Sequence, residues 1–186
     1  NRFNGMWAFA IWDKRTNRLF AARDRFGVKP FYYTVEKDHF AFSSEIKPLV
    51  SYMPSAPAIN KKRIPFFLLY GNRLNTENTY LNGVNSLKAS CYLIYENGQV
   101  NIEQYYEINR TVDTLNEEQL KCKIVELLSD SIKLRFRSDA PVGTCLSGGF
   151  DSSSIVSLSS TLYTGSLETF SAVWQEKNCD ESYYID

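Results

Sequence analysis

The stretch Leu146-Ser147-Gly148-Gly149-Phe150-Asp151-Ser152-Ser153-Ser154 constrains this chain more than any other feature. An apolar, strand-like run at 142–146 leads into it, and a helix-compatible run at 151–164 leads out. A strand that breaks at two glycines and passes straight into a helix is the repeating joint of α/β sheets with right-handed crossovers. Gly148 and Gly149 carry no Cβ, so backbone amides there can curl around phosphate oxygens. The helix after them points its unpaired amides and positive dipole end at the same place. Ser147, Ser152 and Ser153 add hydroxyl donors with little bulk. Asp151 alone would repel a phosphate, so its chemical use is to hold Mg²⁺ against one. A plain Gly–Ser turn capped by Asp151 is the structural alternative, and the strand–loop–helix context favours the phosphate. The loop lacks the lysine of a Walker A sequence, which sets aside kinase and GTPase readings.

Upstream, the pattern is different. Residues 6–13 and 18–24 alternate as two strands around the polar turn Lys14-Arg15-Thr16-Asn17. Residues 31–35 and 39–43 form a second pair around Glu36-Lys37-Asp38, and Ser43-Ser44-Glu45 can cap a short helix expected to stop near Pro48. Asn60 is a candidate cap for a helix from Lys61 towards Tyr70, closed by Gly71, with Pro65 in its first turns. Residues 89–95 and 99–106 flank Glu96-Asn97-Gly98, where Asn-Gly tolerates the positive φ that a tight hairpin requires. From Asn116, a capping-box-like start opens an amphipathic helix of about five turns carrying Leu120, Ile124, Leu127, Leu128, Ile132 and Phe136. A further strand is expected over 168–173. The domain boundary falls in 109–115, giving domains at 1–110 and 111–186.

Composition excludes several classes. With 21 basic and 21 acidic residues the formal charge is zero, which removes the electrostatic case for a nucleic-acid binder. No apolar run approaches the roughly 20 residues needed to span a bilayer, so no membrane partner is expected. Cys91, Cys122, Cys145 and Cys179 form no CxxC pair, which fails zinc-ribbon and thioredoxin spacing; a cytoplasmic, reducing location is expected. The single histidine, His39, lies in a strand-like run and reads as structural, as does Cys145 as a small buried residue. Arg23-Asp24-Arg25 reads as an ion-paired structural motif. Tyr32, Tyr33, Tyr105 and Tyr106 read as strand packing with a polar tip.

Ser147-Gly148-Gly149-Phe150-Asp151-Ser152 resembles the SGGxDS pyrophosphate loop of the N-type ATP pyrophosphatases. Asn4-Gly5-Met6-Trp7-Ala8-Phe9-Ala10-Ile11-Trp12-Asp13, the run from Ala22-Arg23-Asp24 through Gly27, Lys29-Pro30 and Tyr32-Tyr33, and Ser43-Ser44-Glu45-Ile46-Lys47-Pro48-Leu49 resemble, in order, segments of the class II glutaminase domain of asparagine synthetases. Thr169-Phe170-Ser171-Ala172-Val173 and Asp180-Glu181-Ser182 resemble that family's strand and helix start after the pyrophosphate loop. The resemblance is collinear over nearly the whole chain.

The resemblance implies an α/β and α+β protein: the C-terminal part of an Ntn-type antiparallel glutaminase domain, then the start of an adenine-nucleotide α-hydrolase-like parallel-sheet domain. It implies a ligase that uses ATP and Mg²⁺, with aspartate and glutamine as the other small-molecule substrates. Aspartate would become asparagine through β-aspartyl-AMP, and glutamine would supply the ammonia. Ser147, Gly148, Gly149, Asp151 and Ser152 would hold pyrophosphate and Mg²⁺, with Asp151 the metal contact; Leu146 and Val173 would contact adenosine. Class II glutaminases use an N-terminal cysteine whose own α-amine is the base, so no catalytic residue is assigned among the four cysteines. The chain opens without Met and stops in a starting helix, so it is expected to be an internal fragment, inactive alone. Leu87-Lys88-Ala89-Ser90-Cys91-Tyr92 departs from the family's Pro-Pro-Gly-His-Tyr run, and Phe150 puts an aromatic at the loop's variable position, where it is expected to pack beneath the loop. A homodimer is one expected assembly. The alternatives are relatives with another acceptor (β-lactam synthetase-like, lasso-cyclase-like or polysaccharide amidotransferases) and a non-catalytic nucleotide-binding remnant.

Overall fold

The computed structural model describes residues 2–36, 39–71, 76–111, 114–175 and 182–185. The chain divides into two units, Asn1–Arg110 and Thr111–Asp186. In the first, β1 (Ala8–Asp13), β2 (Arg18–Arg23), β6 (Cys91–Glu96) and β7 (Gln99–Gln104) form an antiparallel sheet in the order β1-β2-β6-β7. A second antiparallel sheet runs β4-β3-β5, from β3 (Tyr32–Glu36), β4 (His39–Ser43) and the two-residue β5 (Asn85–Ser86).

Period-two alternation sorts the side chains. Ala10, Ala21, Leu93 and Ile102 stand in one cross-strand row of the first sheet. Ala21 and Leu93 are fully buried there, with Phe31, Tyr33, Leu87 and Cys91 completing the core. Small residues in this row let the aromatics of the second sheet approach, and Phe40 stacks on Tyr95 at 4.8 Å between centroids. Asn97 and Gly98, at φ 51° and 77°, make the two-residue turn between β6 and β7.

Helix α1 (Ile46–Tyr52) carries Pro48 in its first turn and runs on past it. A stop at Pro48 is therefore corrected: the missing amide falls where no intrahelical partner exists. Its N-cap is Glu45 without a side-chain cap bond, and the Ser43 hydroxyl accepts from the Glu45 amide instead. The segment from Lys61 is a 3₁₀ turn (Lys61–Arg63) followed by α2 (Ile64–Tyr70), with Gly71 closing it at φ 62°. Asn60 gives its side-chain amide to the Thr79 carbonyl rather than capping. His39 is exposed and pairs across the hairpin with Glu36; the turn residues Lys37 and Asp38 lie outside the described residues.

The second unit opens with α3 (Glu117–Arg135), whose capping box is complete: the Gln119 amide donates to Asn116 Oδ1 at 3.0 Å, and the Asn116 amide donates to Gln119 Oε1 at 3.1 Å. α3 packs on α4 (Phe150–Leu162) through buried Ile132 and Ser159, and Phe136 stacks on Tyr163. Ile124 and Leu127, expected on its apolar face, are exposed, whereas Ile132, nearer the C-terminal end of the helix, is buried. β8 (Gly143–Cys145), which joins α3 to α4, pairs in parallel with β9 (Glu168–Phe170), which follows α4, and each is shorter than the strand expected. Among the described residues, no helix is long and apolar enough to cross a membrane.

Candidate functional site

Two turns carry the polar side chains that the sequence singles out, one in each unit. The first comes after β2. The Asp24 carboxylate, 1% exposed, accepts four backbone amides: Phe26 and Val28 on Oδ1 at 3.1 and 3.0 Å, Lys29 and Trp7 on Oδ2 at 2.9 and 3.3 Å. Burial by itself would raise its pKa, but these amides outweigh burial and hold it below the ordinary carboxylate value. The Arg23 guanidinium works in the opposite sense, donating to the carbonyls of Lys29, Gly27 and Leu87 and to the Ser86 hydroxyl. The expected Arg–Asp pairing is therefore corrected. Each charged group spends its hydrogen bonds on backbone or a hydroxyl, because the tight turn presents amides on one side and carbonyls on the other. Arg25 lies over the Tyr106 ring at 4.7 Å.

Tyr32 and Tyr33 are strand residues of β3, while Tyr105 and Tyr106 lie just past β7, so the strand reading is corrected for those two. Tyr105 donates to the Arg23 carbonyl, and buried Tyr33 donates to Glu77 at 2.6 Å. Burial, with the Glu77 carboxylate second, pushes the Tyr33 phenol well above its usual range. This is packing chemistry, and no reacting group emerges from it.

The second turn joins β8 to α4 and contains most of the sequence-predicted site. Leu146 extends the parallel ladder by one bond, its amide donating to the Phe170 carbonyl at 2.9 Å. Ser147, Gly148 and Gly149 form the turn, and Asp151 and Ser152 stand in the first turn of α4. Gly148 sits at φ +74°, a conformation that side chains resist, and a Cβ there would come within 2.5 Å of the Tyr184 Cβ. Gly149 is the N-cap of α4 and supplies no side-chain cap, so among the described residues the amides of the first turn have no side-chain acceptor, while the Gly149 amide itself donates to Ser147 Oγ at 3.4 Å. The two serine hydroxyls are 3.0 Å apart, with Ser152 Oγ also donating to the Gly149 carbonyl and accepting from the Ser147 amide. Each hydroxyl is the other's side-chain partner.

Val173, the other residue assigned to a nucleotide, lies three residues past β9 and is exposed. The strand that should bring it to the loop ends at Phe170, and Ser171 continues the link by donating from its hydroxyl to the Leu146 carbonyl at 2.6 Å. Sequence reasoning gave Ser171 no role. No local signal could have found it, because the strand expected over 168–173 places Ser171 inside it. Cys145 is exposed, and the expectation of a buried cysteine is corrected: among the described residues β8 has β9 as its only strand neighbour, and none of them covers that side. Phe150, expected to pack beneath the loop, is 87% exposed because it points off the first turn of α4. Asp180 and Glu181 lie outside the described residues, as does Cys179.

Chemically, the loop offers first-turn amides that meet no side-chain acceptor among the described residues, two exchangeable hydroxyls and one exposed carboxylate. Among the described residues no group of three metal-ligating side chains exists. That pattern suits a small hard cation held by one carboxylate together with the oxygens of an anionic ligand, and it does not suit an all-protein cage.

Two family models match the chain. One described as a glutamine amidotransferase domain matches residues 1–106, and one described as asparagine synthase matches residues 123–186. A putative glutamine-hydrolysing asparagine synthetase of Methanocaldococcus jannaschii is 38% identical over 98% of this chain and 36% of its own length. Asparagine synthetase 3 of Bacillus subtilis, also glutamine-hydrolysing, is 30% identical over 96% of this chain and 30% of its own length. A protein of Gibberella zeae named amidase chry2 is 28% identical over 87% of this chain and 24% of its own length. The chain thus spans about a third or less of these relatives.

Proposed function

This chain belongs to the glutamine-hydrolysing asparagine synthetase family, and from that premise we propose that it contributes the pyrophosphate-binding loop of an ATP-dependent ligase that amidates aspartate. The observation that carries this reading is the turn between β8 and α4: a glycine at φ +74°, an uncapped helix N-terminus and a single exposed carboxylate, Asp151, in the first helical turn. Amides of the first turn of α4 would face the leaving pyrophosphate, where helix-end donors offset its charge, and the Gly149 amide would exchange the Ser147 hydroxyl for it. Ser147 and Ser152 would exchange their mutual hydrogen bond for phosphate oxygens. Leu146, directly after β8, and Val173, three residues past β9, would flank the adenosine.

Asp151 would hold Mg²⁺, which when bound neutralises charge on the departing pyrophosphate. The reaction proposed is activation of the aspartate side-chain carboxylate as β-aspartyl-AMP, followed by displacement of AMP by ammonia. The amidotransferase match over 1–106 supports glutamine as the ammonia source. The relative named as an amidase supports a second reading, in which the same loop serves another carboxylate acceptor.

The test uses the native polypeptide that carries this chain. With ATP, Mg²⁺ and glutamine or an ammonium salt, pyrophosphate release should depend on aspartate, and Asp151→Asn should lower it by about 10²-fold. Release that depends on a different carboxylate moves the protein to the second reading. No acceptor-dependent release with any carboxylate sinks both.

A further inference from the structure

The parallel pair that supports the loop ends one rung too early, and a side chain completes it. In register, Gly143, Thr144 and Cys145 pair with Glu168, Thr169 and Phe170. The next bond of the ladder, from the Leu146 amide to the Phe170 carbonyl, is present at 2.9 Å. In a continuing parallel ladder the Leu146 carbonyl would then accept from the backbone amide of Ala172. Instead it accepts from the Ser171 hydroxyl at 2.6 Å. Both backbone groups of Leu146 are therefore tied to the chain leaving β9, and the backbone of Ala172 and Val173 is released from strand geometry.

We propose that Ser171 is a positioning residue for the nucleotide, its hydroxyl taking the place of the missing ladder bond and setting the spacing between Leu146 and Val173. This deepens the reading of 146–152 as a pyrophosphate loop and rests on it. Leu146 is the residue immediately before Ser147, so its orientation governs where the first loop amide and hydroxyl point. Val173 lies two residues past Ser171 on the other arm. A bond between the two arms at this point fixes the width of the gap into which an adenosine would fit. A strand amide in the same role would hold residues 172 and 173 extended along β8 and leave them unable to turn towards a ligand. The hydroxyl donor closes the ladder and frees the backbone beyond it.

The test compares Ser171→Thr, which keeps the hydroxyl, with Ser171→Val, which has the shape of that threonine without the hydroxyl, and adds Ser171→Ala against the wild type. Ser171 is exposed, so the extra methyl has room. In the native polypeptide carrying this chain, the Val and Ala variants should raise the KM for ATP roughly fivefold, the ordinary worth of one hydrogen bond. Their kcat should stay within about twofold, and the Thr variant should match the wild type. Amide exchange at Leu146 and Ser147 should quicken in Val and Ala and stay slow in Thr.

Equal KM values for ATP across all four proteins overturn the proposal. So does a fall in melting temperature in Val or Ala with no change in KM, because it marks the bond as structural alone. If the wild type releases no pyrophosphate with any acceptor, the underlying reading of the loop fails first. If the wild type is active and the variants match it, only the role of Ser171 fails.

Discussion

In the turn after β2, a buried carboxylate collects four backbone amides while the neighbouring guanidinium collects three carbonyls and a hydroxyl. In the turn after β8, among the described residues the amides of the first helical turn meet no side-chain acceptor, and two neutral serine hydroxyls bond to each other and to the turn's backbone. Both turns are short, both contain glycine at positive φ (Gly27 and Gly148), and both include an aspartate. They differ in where the charge goes. Asp24 is spent inward on the turn's own backbone, and Asp151 is left at the surface. A turn whose polar groups are all consumed by its own charged side chains has nothing left with which to bind. A turn whose donors are not taken by its own side chains can offer them to an anion.

The largest effect should come from breaking the closed turn. Asp24→Ala leaves four amides without an acceptor in a buried site and should destabilise the first unit by about 4 kcal/mol, read from urea or thermal unfolding. A loss under about 1 kcal/mol would mean that water replaces the carboxylate there, and the two turns would then be alike.

The next effect is a dependence on acid. Asp24 has its pKa lowered in the folded protein, so the unfolded chain takes up its proton first as pH falls. Its stabilisation should be complete above about pH 4, the unfolded carboxylate range, and should fade as pH drops through the lower folded value. Unfolding midpoints measured between about pH 2 and 6 should fall on the acid side in the wild type and fall less in Asp24→Asn. Parallel acid limbs in the two proteins would remove Asp24 as the titrating group.

The smallest effect on the fold is the most diagnostic. Asp151→Asn should leave the melting temperature unchanged while lowering pyrophosphate release by about 10²-fold. A melting change as large as that of Asp24→Ala would show that Asp151 also serves the fold.

Much of the fold and of the loop is legible in the sequence alone. Asn97-Gly98 announces the β6–β7 hairpin, Asn116 and Gln119 announce the start of α3, and the paired glycines announce the β8–α4 turn, because each signal acts through neighbours within a few residues. The expectations that fail are those decided at a distance. Arg23 and Asp24 are adjacent in sequence and look like partners, but the acceptors of Arg23 lie at Gly27, Lys29, Ser86 and Leu87. The two residues of β5 carry no strand signal; they pair with Tyr32 and Tyr33 because Leu87 is bound to the Phe31 carbonyl beside them. Apolar character alone would send Cys145 and Ile124 to the interior, yet it predicts burial only where a second surface exists to cover it. Ser171 escapes notice because a serine after a strand carries no meaning until the ladder is seen to end there.

The closed turn also sets an order of events during synthesis. Leu87 and Ser90, which complete the bonding of Arg23 and Asp24, lie more than sixty residues downstream, and β6, the inner neighbour of β2, comes directly after them. A chain emerging N-terminus first can form the β1–β2 hairpin at once, but the guanidinium beside it has to wait for its acceptors at Ser86 and Leu87. Closure of so long a loop is slow compared with a local hairpin. A nascent chain stalled anywhere between Lys29 and Leu87 would therefore present an unfinished sheet edge and an unsatisfied arginine, which is the state a chaperone would meet.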